Sequence, residues 1–226
     1  MKRSEINKAM KDAVQFMAEQ NFNLPPFAYW KKEDWQSKGE EYREVRETML
    51  GWDITDFGYG DYDNIGLLMF TLRNGSYKQP DQYVKPYAEK ILIVKEGQVT
   101  PFHFHWKKME DIINRGGGDL LIQLFESGQN GEMSDEPVHI QQDGRNYRME
   151  SGSIIRLKPG ESVCIPCGQY HKFWGEGGCV LVGEVSKTND DTIDNRFYEE
   201  KGRFPFIEED EEPYYYLFNE EPEYKS

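Results

Sequence analysis

The chain has 226 residues, with 41 acidic against 27 basic side chains and a formal net charge of −14. That surplus of negative charge argues against nucleic acid or an anionic membrane as a partner, and no apolar run is long enough to span a bilayer. Hydrophobic residues make up 37% of the chain, enough for a core, and the Met-Lys-Arg start has no apolar run behind it to act as a secretory signal, so a cytoplasmic protein is expected.

In chain order, Ser4 can cap a helix whose apolar stripe is Ile6, Ala9, Met10, Ala13, Val14, Met17 and Ala18. Pro25-Pro26 stops it and forces an extended link. A second helix is predicted over residues 39–50, with Tyr42, Val45 and Met49 buried, and a loop over 52–64, which is rich in Gly, Asp and Tyr. Strands follow. Residues 66–73 form an apolar run closed by the turn signal Asn74-Gly75, and 88–95 with 98–106 read as a hairpin about Glu96-Gly97. Further short strands are predicted at 120–125, 138–141, 147–149, 154–157, 162–165, 171–174 and 179–185. Many short strands with turns between them indicate a mainly-β jelly-roll barrel. The expected arrangement is one domain: helices outside (1–64), barrel (65–187) and a C-terminal extension (188–226).

The chemistry concentrates in two stretches. If 99–105 is a strand, alternation puts His103 and His105 on one face and Phe102 and Phe104 on the other. Glu110 follows closely enough to add a carboxylate, and His171 comes just after the Pro166-Cys167-Gly168 turn. Three imidazoles and a carboxylate suit a divalent transition metal such as manganese, iron, nickel or zinc. By contrast, His139 stands alone and reads as structural. Cys164, Cys167 and Cys179 complete neither a disulfide framework nor a zinc site.

Pairing arithmetic adds two residues. A two-residue loop at Glu96-Gly97 would set Lys90 opposite His103, inside the metal cavity. A hairpin closed by residues 175–178 would pair His171 with Val182 and leave Glu184 facing the same way. A glutamate amid Val180, Leu181, Val182 and Val185 is costly to bury without a partner, which favours a catalytic or ligand-binding role over a surface one. In the extension, the acidic run 208–212 followed by Tyr214, Tyr215 and Tyr216 reads equally as a solvated tail or as a flap, anchored by Phe204, Phe206 and these tyrosines, over the barrel mouth or a neighbouring subunit. Arg203 or Glu208 from this segment are candidates to close the site on substrate.

The spacing of Gly97, His103, His105, Glu110 and Gly117, and of Gly160, Pro166, Gly168 and His171, resembles the paired motifs of the cupin superfamily, although Gly175 stands where the second motif normally has asparagine. Beyond the motifs, Leu24-Pro-Pro-Phe-Ala-Tyr-Trp30, Asp194-Asn-Arg-Phe197 and Gly202-Arg-Phe-Pro205 make the whole chain similar to the D-lyxose isomerase family. That resemblance implies a manganese-dependent aldose-ketose isomerase acting on D-lyxose and D-xylulose, with D-mannose and D-fructose as a second pair, and a homodimer. His103, His105, Glu110 and His171 would then hold the metal, and the chemistry of an enediol makes Glu184 the first choice of base and Lys90 the group that stabilises the enediolate or moves protons among the hydroxyls, with a hydride shift as the other route. The cupin motifs alone leave open an iron-dependent dioxygenase or a non-catalytic sugar-binding protein.

Overall fold

A computed structural model describes residues 1–199, 202 and 206–220. Helix α1 (Arg3–Glu19) buries Ile6, Ala9, Met10, Ala13 and Met17, as its periodicity predicts, while Ala18 is exposed. Its cap is Lys2, not Ser4: the Glu5 carboxylate accepts the Lys2 backbone N–H at 2.7 Å. Ser4 lies inside the first turn and donates its N–H and its hydroxyl to Asp210 instead. The single helix predicted over 39–50 is a 3₁₀ turn (Glu40–Tyr42) and one turn of α3 (Arg43–Glu47), preceded by the short α2 (Lys32–Trp35). Tyr42, Val45 and Met49 are only half-buried there.

Strand β1 (Gly51–Thr55) occupies the start of the predicted loop and is buried along its whole length. Trp52 and Ile54 pack toward α1, while Asp53 sits where a core-facing strand would ordinarily carry an apolar side chain. The strands β2 (Leu67–Arg73), β3 (Tyr87–Val94), β4 (Val99–His105), β5 (Glu110–Ser127), β6 (Met133–Ser134), β7 (Val138–Gln142), β8 (Arg145–Met149), β9 (Ile154–Leu157), β10 (Ser162–Ile165) and β11 (Tyr170–Lys187) follow, then α4 (Asp191–Asp194) and β12 (Asn195–Phe197).

The long strands β5 and β11 lie antiparallel and serve both halves of the jelly roll. The second half of β11 pairs with β3, which leads to β2 and β1, and its first half pairs with β4. The expected hairpin at residues 175–178 is therefore absent, and 171–174 and 179–185 are one strand. The strand bends there instead, with register shifts against β5 between Glu176 and Val180 and between Leu181 and Val182. Gly117 makes the bend possible: its φ is +88°, and a Cβ on it would come within 2.1 Å of the Cys179 carbonyl oxygen. Gly175, in place of the motif's asparagine, continues β11 and accepts the Gly97 N–H at 2.9 Å.

Two cores result. The barrel interior holds Leu92, Ile112, Ile122, Leu124, Phe173 and Val182 among others. A second core lies between α1 and the outer face of β1, β2 and β3, where Ile6, Met10 and Met17 meet Ile54, Phe70 and Ile93. Each such fully buried side chain stabilises the fold by about 1.5–3 kcal/mol. Tyr215 and Leu217 join this second core, so this part of the extension packs on the helix face, and neither sequence-based expectation describes it. The clamp is Arg3, whose guanidinium is almost fully buried between Glu209, at 2.7 Å, and Glu220. Replacing Arg3 by alanine should destabilise the protein by about 1–3 kcal/mol, since Glu209 is largely solvated. Thermal unfolding measures this, and an unchanged midpoint would show that the clamp contributes nothing. No described helix is long and apolar enough to cross a membrane.

Candidate metal centre

Strand register explains why the histidines meet. His171 on β11 is the direct partner of His103 on β4, and directly opposed residues share a face. His105 lies two residues along from His103, and the ligand nitrogens of all three fall within 4.8 Å of one another. Glu110, at the start of β5, brings its Oε1 to 3.1 Å from His171 Nε2 and 3.3 Å from His105 Nε2. All four side chains are buried.

The imidazoles are oriented from behind. Nδ1 of His103 donates to the Pro101 carbonyl at 2.8 Å, and Nδ1 of His171 to the Gln169 carbonyl at 3.1 Å. A carbonyl only accepts, so the hydrogen sits on Nδ1 and the Nε2 lone pair faces the cavity in both. Among the described residues, His171 Nε2 and His105 Nδ1 have no hydrogen-bond partner, while Glu110 Oε2 meets the Lys108 ammonium at 2.7 Å. Buried polar atoms left this way, in a set of imidazole nitrogens and a carboxylate, fit a divalent cation.

Burial, reinforced by His171 and His105, holds His103 well below the ordinary histidine value, and burial with Lys108 lowers His105. Burial by itself raises the Glu110 carboxyl, but Lys108 and the histidines together hold it well below the ordinary range. Both shifts mean that the unfolded chain binds more protons than the folded one. Stability of the metal-free protein should therefore be full above about pH 6.5 and fall as the pH drops, first through the histidines and then, below about 4.5, through Glu110. Thermal unfolding in chelator from pH 8 to 5 tests this; a midpoint that rises on acidification would refute it.

Lys90 and Glu184 line the same cavity as His103, His105 and Glu110. The route differs from the predicted one. β3 pairs with β11 and not with β4, so Lys90 stands opposite Glu184 rather than His103, and His171 pairs with Leu124 and His103 rather than with Val182. Glu184 Oε1 accepts from Lys108 Nζ at 2.7 Å and from the Ser186 hydroxyl at 3.3 Å, and Lys90 Nζ lies 3.5 Å away. Among the described residues no hydrogen bond falls on Glu184 Oε2. Arg203 lies outside the described residues. Glu208 is exposed on the far side of α1's start, where its backbone pairs with Met1 and Arg3, and it does not reach the cavity.

Sequence reasoning missed Lys108 and the segment after β11. Lys108 is buried and places its ammonium 2.7 Å from both Glu110 Oε2 and Glu184 Oε1, although burial alone would weaken that charge. Its position two residues before the motif glutamate was the available signal. Asp194 fixes this loop by accepting the Lys107 and Lys108 N–H groups at 2.8 and 3.0 Å. Asp191 accepts from Lys90 Nζ at 3.0 Å, and β12 pairs with β4 as a wall of the cavity, stacking Phe197 on His103. His139 is exposed. Cys164 lies on the outer face of β10, and burial beside Asp111 pushes its thiol up to about 11, so it adds nothing to the metal set.

Comparison with known proteins covers the whole chain. The profile of the D-lyxose isomerase family matches residues 1–221. A D-lyxose/D-mannose isomerase of Escherichia coli O157:H7 is 47% identical over 223 residues, which is 97% of this chain and 98% of that protein. One from Serratia proteamaculans is 46% identical, covering 97% of each. Among solved structures, the ligand-free L-ribose isomerase of Cellulomonas parahominis matches with a TM-score of 0.59 at 15% identity, over 92% of this chain and 98% of that one. The Acinetobacter sp. DL28 L-ribose isomerase bound to L-ribose matches at 0.57 and 14%, with the same coverage. At that identity the likeness establishes the cupin-type fold.

Proposed function

Because the chain belongs to the D-lyxose isomerase family and is a sugar isomerase, we propose that it interconverts D-lyxose with D-xylulose, and D-mannose with D-fructose, by proton transfer through a cis-enediol. The observation that carries this reading is a buried carboxylate, Glu184, in the same cavity as His103, His105 and Glu110. A profile and relatives that span the chain, not the two motifs alone, are why the oxygenase and the non-catalytic binder give way. The reading includes manganese as the metal, a homodimer and a cytoplasmic location.

A cation held by His103, His105, Glu110 and His171 supplies Lewis-acid polarisation of the sugar's O1 and O2. The rest falls to the chain's own groups. Glu184 takes the proton from C2 through Oε2 and returns it to C1 on the same face. Lys108 and Ser186, both on Oε1, fix the orientation of that carboxylate. Lys90, steadied by Asp191, places positive charge near the oxygen on which negative charge develops. Leu92, Ile112 and Phe173 line the cavity with apolar surface that limits the water around the enediol and so protects it from side reactions.

The test is a panel of aldoses given to chelator-treated protein before and after one equivalent of manganese. Ketose should form from D-lyxose and D-mannose only after the metal is restored. Turnover in D₂O should place deuterium at C1 of the ketose, whereas a hydride shift would leave C1 free of it. Metal-independent turnover, or failure to convert any aldose, would overturn the proposal.

A further inference from the structure

Two cavity-lining side chains besides the cation set have a buried oxygen with no hydrogen-bond partner among the described residues: Thr100 Oγ1 and Asn195 Oδ1. They differ in setting. Thr100 pairs with Phe173 across a bulge in the β4–β11 ladder, at the apolar end of the cavity. Asn195 opens β12 and is the direct register partner of His105 on β4. Opposed antiparallel residues share a face, so the amide of Asn195 enters the cavity beside a metal-ligating imidazole. Its neighbours along the chain, Asp191 and Asp194, are spent on Lys90 and on the Lys107–Lys108 backbone, while the Asn195 amide oxygen has no partner among the described residues.

A primary amide carries an acceptor and two donors, and a sugar hydroxyl both donates and accepts. An amide oxygen held buried without a partner in a sugar isomerase's cavity is organised for such a hydroxyl, since leaving it unpaired costs stability with nothing gained in the free protein. We infer that Asn195 is a substrate-binding residue that hydrogen-bonds the C3 hydroxyl of the open-chain sugar and so reads the configuration at C3. This rests on the proposal that O1 and O2 sit at the histidine cluster. C3 then follows because its hydroxyl is the next one along the chain, and Asn195 faces the ligand His105 directly. D-Lyxose and D-mannose share their configuration at C2 and C3 and differ in length, so a residue that reads C3 accepts both.

The experiment pairs the Asn195→Ala change with a substrate lacking the same hydroxyl, 3-deoxy-D-lyxose, and an Asn195→Leu variant keeps the side-chain volume without the amide. In the unaltered protein, kcat/KM for the 3-deoxy sugar should fall about tenfold relative to D-lyxose. In both variants KM for D-lyxose should rise about tenfold with manganese content unchanged, and the preference for the hydroxylated sugar should collapse toward unity. A preference that survives in both variants overturns the inference, even if isomerisation of D-lyxose stands. Manganese loss in both variants, with KM otherwise unmoved, would assign Asn195 to holding β12 against β4 and also overturn it. If the unaltered protein converts neither sugar, it is the isomerase proposal that has failed.

Discussion

Glu184→Gln should bind manganese as the parent does and lose about 10²–10⁴-fold in isomerisation rate. That is the range expected for removing a positioned general base. The amide has nearly the carboxylate's shape, so the packing of β11 between β3 and β5 survives. It cannot accept a proton from carbon, and it leaves the ammonium of Lys108, now 2.7 Å from a neutral group, with Glu110 as its remaining close anion. Some loss of stability is expected from that buried cation. Isothermal titration with manganese and single-turnover conversion of D-lyxose separate the two effects. Near-parental turnover would remove Glu184 from the role of base and point to another group in the cavity, with Lys90 and Asp191 as the candidates on the same wall.

His171→Ala should lose metal and activity together. His171 is fully buried and directly opposite His103, and the orphaned Nε2 it presents has no replacement among the described residues. Removing groups that merely orient metal ligands costs 10–100-fold in affinity, so loss of a ligand itself should exceed about 100-fold. Manganese raises the stability of the folded state by mass action. It should therefore increase the thermal midpoint of the parent and leave that of the variant unchanged. This comparison holds even if the substitution lowers the midpoint of both metal-free and metal-treated protein through the cavity it creates. A variant that still binds manganese stoichiometrically and isomerises D-lyxose would exclude His171 from the site.

Much of this centre was legible in the sequence because it depends on local alternation. His103 and His105 needed only that 99–105 be a strand, and Glu110 and His171 needed only their spacing. The second tier was reached by a wrong route. Strict alternation along β11 would put His171 and Glu184, thirteen positions apart, on opposite faces. The irregular stretch of β11 between Glu176 and Val180, where its register against β5 shifts, restores them to the same side, a result the assumed hairpin happened to imitate. Lys90 likewise faces inward with Ala88 and Leu92 on β3, whichever strand lies beside it. What stayed hidden was non-local. Lys108 and Asp191 act through partners 76 and 101 positions away. No periodicity reports such contacts, and the segment carrying Asp191, Asp194 and Asn195 looked merely polar. The same blindness applies at the other end of the chain, where the acidic run finds its partners on α1 about 200 residues earlier, at Arg3, Ser4 and Asn7.

Everything turns on whether one cation sits among these side chains. Crystals soaked in manganese and measured near its absorption edge would locate it directly. A single strong anomalous peak enclosed by His103, His105, Glu110 and His171 is expected, absent from His171→Ala crystals treated in the same way. A peak elsewhere, or an empty cluster in protein that still isomerises D-lyxose, would contradict the proposed metal centre.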